Sequence, residues 1–111
     1  MTLRTLWRLS LFLLAVVLLG VQGCSRDDAD AYNKSGIALA KMGKHAEACE
    51  KFAKATEIAP RFAWACGNWG IALAELGKRS EAEEKWSKAV ELNPALKPQI
   101  EEMRKQLLGK E

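Results

Sequence analysis

Shifted by 34 residues, the chain falls back onto itself. Gly36-Ile37-Ala38-Leu39-Ala40 lies over Gly70-Ile71-Ala72-Leu73-Ala74, Gly43-Lys44 over Gly77-Lys78, Glu50-Lys51-Phe52 over Glu84-Lys85-Trp86, and Pro60 over Pro94. So many matches at one offset mark a repeated unit that buries its apolar face by stacking on its neighbour. Each unit divides at a glycine. Before Gly43, Tyr32, Gly36, Leu39 and Met42 recur at helical spacing; after it, Ala48, Phe52, Ala55 and Ile58 do the same. Both halves therefore read as amphipathic helices. After Cys24 no β-branched alternating run occurs, which argues against a sheet.

The punctuation fits a helical hairpin. Gly43 and Gly77 stand where a helix ends in a left-handed turn, and Pro60 and Pro94 close the second helix of each unit. Gly36 and Gly70 fall in mid-helix, where glycine costs ~1 kcal/mol relative to alanine. Close approach of the paired helix offsets that cost, with Gly36 facing Ala48, Phe52 and Ala55. Phe52 and Trp86 are expected to fill the gap between neighbouring hairpins.

Beyond the second unit, Pro98 suits a first helical turn. Ile100, Met103 and Leu107 then share one face. On the 34-residue register Arg104 stands where Gly36 and Gly70 stand. A bulky cation there would clash with a paired second helix, so the segment reads as a cap.

These residues resemble the tetratricopeptide repeat (TPR). Tyr32, Gly36, Ala48, Phe52, Ala55 and Pro60 match its pattern in the first unit, and Gly70, Ala82, Trp86, Ala89 and Pro94 in the second. Ser35 and Trp69 replace a leucine, Cys66 the first aromatic, and Leu39 and Leu73 the second. Ser35 implies a thinner core in the first repeat. The resemblance implies an all-α fold: an α-solenoid of two helix-turn-helix repeats, 29–62 and 63–96, with a C-terminal capping helix over 97–111. It also implies a concave face that takes a protein or peptide partner. Carried onto this chain, that face holds Asp30, Asn33, Ile37 and Lys41, then Trp64, Asn68, Ile71 and Glu75. Trp64 is the candidate anchor, with packing against the preceding helix end as the other reading. One subtype of the family grips a terminal carboxylate with a lysine-asparagine clamp. Only Asn68 has a counterpart in it, since Asn33 and Ile37 stand where lysine and asparagine would be, and that subtype is rejected.

The amino terminus needs a separate reading. Arg4 and Arg8 precede an apolar stretch from Leu9 to Val21, too short for the roughly 20 residues of a spanning helix. It ends in Val21-Gln22-Gly23-Cys24-Ser25, which resembles the lipobox of bacterial lipoproteins. The resemblance implies a signal peptide over 1–23, acylation of Cys24, a short linker over 24–28 and a membrane anchor. Ser25 would favour the outer membrane facing the periplasm. Ordinary secretion, leaving a periplasmic chaperone-like assembly factor, and an uncleaved inner-membrane anchor are the alternatives.

Without Arg4 and Arg8, residues 24–111 carry 15 basic against 14 acidic side chains, so the overall charge of +3 does not point to nucleic acid. The acidic face of Glu81, Glu83 and Glu84 lies near a helix start, where it favours the dipole. No nucleophile–base pair, metal-ligand cluster or phosphate loop is visible, so no enzyme, metal or cofactor is expected. His45 is expected to be solvated. Cys49 and Cys66 read as small buried hydrophobes, with a disulfide as the alternative. Two repeats make a small core, which predicts marginal stability or association with a partner or a second copy. The function expected is that of an adaptor or assembly factor in the cell envelope.

Overall fold

The structure, a computed structural model, describes residues 25–109. The signal peptide read at 1–23 and the acylation read at Cys24 lie outside the described residues. The described residues form α1 (Arg26–Lys41), α2 (His45–Ile58), α3 (Ala63–Glu75), α4 (Arg79–Leu92) and α5 (Lys97–Leu108), with a 3-10 turn at Pro94–Leu96. There is no strand among them. The fold is the all-α stack of two hairpins and a terminal helix that the repeat predicts.

α1 begins three residues before the first repeat was expected to. Of the linker read at 24–28, residues 26–28 are already helix, which runs from Arg26. The cause is local: Ser25 takes an extended conformation and its N–H donates to the Asp28 carboxylate at 3.0 Å. Asp27 and Asp28 in the first turn complement the helix dipole.

The two hairpins turn in the same way. Gly43 has φ 76° and Gly77 φ 78°, the left-handed region that glycine enters without steric penalty. The Lys44 N–H donates back to the Leu39 carbonyl and the Lys78 N–H to the Leu73 carbonyl, both at 2.9 Å. Each pair closes the last turn of its helix and sends the chain back antiparallel.

Inside each hairpin a ring takes the space that a glycine leaves open. A Cβ at Gly36 would sit 2.5 Å from a ring carbon of Phe52, and one at Gly70 would run into the Trp86 indole. Phe52 also clusters with Ala48 and with Ala72 of the next hairpin. It therefore serves both its own hairpin and the gap between hairpins. Trp86 is fully buried, and its indole N–H donates to the Gly67 carbonyl at 3.2 Å. That bond satisfies the one polar atom that tryptophan adds over phenylalanine.

Packing of α2 on α3 stacks the hairpins side by side, and α5 covers α3 and α4. Leu96 and Ile100 enter the same buried cluster as Ala63, Cys66, Leu73, Ala82, Trp86 and Ala89. The first hairpin contributes the smaller cluster, and Ser35 is exposed. Arg104 of α5 grips both carboxylate oxygens of Glu83 on α4 through Nε at 2.9 Å, while its Nη1 reaches Glu101 at 2.6 Å. Hydrogen bonds to these two carboxylates raise the Arg104 pKa and hold the guanidinium charged. Among the described residues no helix is long and apolar enough to cross a membrane.

Candidate functional site

The first helices of the hairpins and the cap present one continuous side. Between α1 and α3 lies a groove of about 280 Å³, lined by Ile37, Lys41, Asn68, Ile71 and Glu75 together with Ala40, His45 and Phe52. A smaller hollow of about 60 Å³ lies between α3 and α5, where Trp64, Asn68 and Ile71 meet Leu96, Gln99, Ile100 and Met103. Asn68 and Ile71 belong to both. The helical period explains the shared set: residues three or four apart on α3 emerge on one stripe between its two neighbours.

Six of the eight residues expected on this face line these two hollows, and neither Asp30 nor Asn33 does. Asn33 is only 7% exposed, and its Oδ1 accepts from the Asn68 Nδ2 at 3.1 Å. An amide enclosed between helices needs a partner, and the partner lies 35 residues away. Asn33 is thus a brace between α1 and α3 rather than an open contact. Asp30 is tied to Lys34 at 2.9 Å on the exposed side of α1.

Lys41 and Glu75 are the last residues of α1 and α3, and both are exposed. They put opposite charges at one end of a groove whose walls are Ile37, Ala40 and Ile71. His45 departs from its expected place. It opens α2 half-buried against this groove, and its Nδ1 is enclosed with no hydrogen-bond partner. The tight turn at Gly43 folds that first residue inward. His45, Phe52 and Gln99 are lining residues that periodicity did not identify, because they reach the grooves from a helix start, a hairpin floor and the cap; Ala40 joins them from α1 itself, beside Lys41.

The tryptophans divide by role. Trp86 is core, while Trp69 is half-buried beneath the Lys85 ammonium, 4.0 Å from the ring centroid. Trp64 is 50% exposed on the rim of the smaller hollow, and among the three tryptophans of the described residues it alone has much ring surface to offer. Cys49 and Cys66 are free thiols packed in or against the second hairpin's core. Burial pushes both thiols up from the ordinary value, against the opposing pull of nearby lysines. No group of three or more acidic, histidine or cysteine side chains that could hold a metal occurs among the described residues.

A groove with aliphatic walls, an exposed tryptophan on its flank and one charge of each sign can seat an extended or helical peptide. No curated protein matches the chain. A family model described as Tetratricopeptide repeat matches it twice, at residues 29–62 and 63–96.

Proposed function

The chain belongs to the tetratricopeptide repeat family, and on that premise we propose that it is a membrane-tethered adaptor of the bacterial cell envelope. Such domains typically bind protein or peptide partners and are typically non-catalytic. Here the partner segment lies across α1, α3 and α5, with Ile37 and Ile71 against its apolar side chains and Lys41 and Glu75 at its end. Trp64 anchors the neighbouring stretch. Acylated Cys24 holds the domain at the membrane, and Ser25 directs it to the outer membrane, facing the periplasm.

The observation that supports this reading best is the convergence of Ile37, Lys41, Asn68, Ile71 and Glu75 on one groove. The test is site-specific photocrosslinking in intact envelopes. A probe at Ile71 should give a discrete protein adduct, while one at Lys88, exposed on α4, should give none. Trp64→Ala should weaken the adduct several-fold and leave helicity intact. Equal adducts from both probe positions would overturn the groove as the binding face. Mass spectrometry of the mature amino terminus tests the anchor: the expected species begins with acylated Cys24. An intact Met1 or an unmodified thiol would assign the chain to a signal-anchored or freely exported assembly factor.

A further inference from the structure

At one end of the hairpin stack, Arg26 and Arg61 flank a concavity of about 470 Å³ that Ile58, Ala59, Pro60 and Phe62 complete. We infer that this end of the molecule rests on the anionic phospholipid surface of the membrane that holds the chain, with Arg26 and Arg61 on lipid phosphates. The inference rests on the anchor proposed at Cys24.

Distance is the first argument. Arg26 is two residues after Cys24 and is already the first residue of α1. Consecutive Cα atoms are 3.8 Å apart, so the start of α1 lies within about 8 Å of the acylated residue. A domain on so short a tether has this end at the headgroup layer whatever its other contacts.

Charge is the second. Arg26 and Arg61 are exposed, and among the described residues neither has an ion-pair partner. Asp30 is paired with Lys34 and Glu57 with Lys54, while Asp27 and Asp28 stay anionic, Asp28 accepting from the neutral Ser25 N–H. Neither aspartate forms an ion pair with Arg26 or Arg61, so both guanidiniums are open to phosphate oxygens. Planar guanidinium groups match phosphate oxygens two at a time, and basic side chains next to an anchor gain from an anionic leaflet. Exposed Pro60 and half-buried Phe62 add an apolar rim between them.

The opposite end supplies an internal control. Arg61 lies in the turn between α2 and α3, whereas Lys44 and Lys78 lie in the turns at the other end of the hairpins. The full chain, produced with its leader and purified from bacterial membranes, is placed in phosphatidylethanolamine vesicles with or without phosphatidylglycerol and treated with trypsin. Cleavage after Arg61 should be roughly ten-fold slower when phosphatidylglycerol is present. Cleavage after Lys44 and Lys78 should not change. Arg26→Gln should restore much of the cleavage at Arg61. Arg61 cut equally fast on both vesicles, by a chain that still floats with the neutral ones, overturns the docking and leaves the anchor standing. A chain that fails to float with neutral vesicles overturns the anchor, and the docking with it.

Discussion

Gly36 and Phe52 make a close joint between α1 and α2. The ring fills the space of a missing side chain, with three of its carbons within 3 Å of where a Cβ would stand. Alanine at position 36 gains ~1 kcal/mol in helix propensity but overpacks a ring that is only 1% exposed, a cost of roughly 1–3 kcal/mol. Gly36→Ala should therefore lower the urea midpoint. In the Gly36→Ala/Phe52→Leu double variant the two losses should not add, because the smaller side chain makes room for the methyl. Phe52→Ala alone should cost ~3–5 kcal/mol and bring so small a domain close to unfolding. The glycine–aromatic pairing was legible from the 34-residue offset, since both partners recur together. Asn33 was not: its burial depends on the amide of Asn68, and no local pattern in α1 announces a partner 35 residues away. His45 was missed for a similar reason, because a helix-start position reads as solvated until the turn before it is known to fold inward.

Among the elements, α5 closes the second hairpin. It supplies Ile100 to the second hairpin's core and follows directly on Leu96. Ending the chain after Asn93 removes both and uncovers the cluster around Trp86. Cooperative thermal unfolding by circular dichroism should be lost or shifted down by many degrees. The ion pair on the same helix matters less to stability. Arg104 is 31% and Glu83 38% exposed, so solvent screens their attraction and Arg104→Ala should cost ~1 kcal/mol or less in a urea titration. That α5 caps the stack was legible from Ile100, Met103 and Leu107 and from the arginine at a glycine register. The start of α1 was not, because the Ser25–Asp28 cap lies upstream of the first repeated residue and so outside the pattern used to place the hairpins.

For the whole molecule, the buried thiols give stability a pH dependence. Burial raises the pKa of Cys49 and Cys66 in the folded chain. Between the unfolded value, near 9, and the raised one, the folded state holds more protons, so stability falls as pH rises. Below that window the contribution is complete. The melting temperature should thus decline from about pH 9 upward, and Cys66→Ala should decline less steeply over the same range. A matching slope in both would remove Cys66 as a cause. The stack as a whole was the most legible feature, since identity at a single spacing fixes the order and pairing of four helices. The grooves were legible only as a stripe on the first helices; their depth comes from Phe52, His45 and α5, which that stripe does not contain.

Arg104 makes the far end of the array a chemical boundary. A hairpin appended beyond α5 would bring its ring onto a guanidinium already committed to two carboxylates, at the register where the earlier units offer bare backbone. A duplication copying residues 29–62 or 63–96 in place would inherit a glycine there and could fold at once. Arg104 therefore favours insertion between the hairpins over pairing of a further helix against α5.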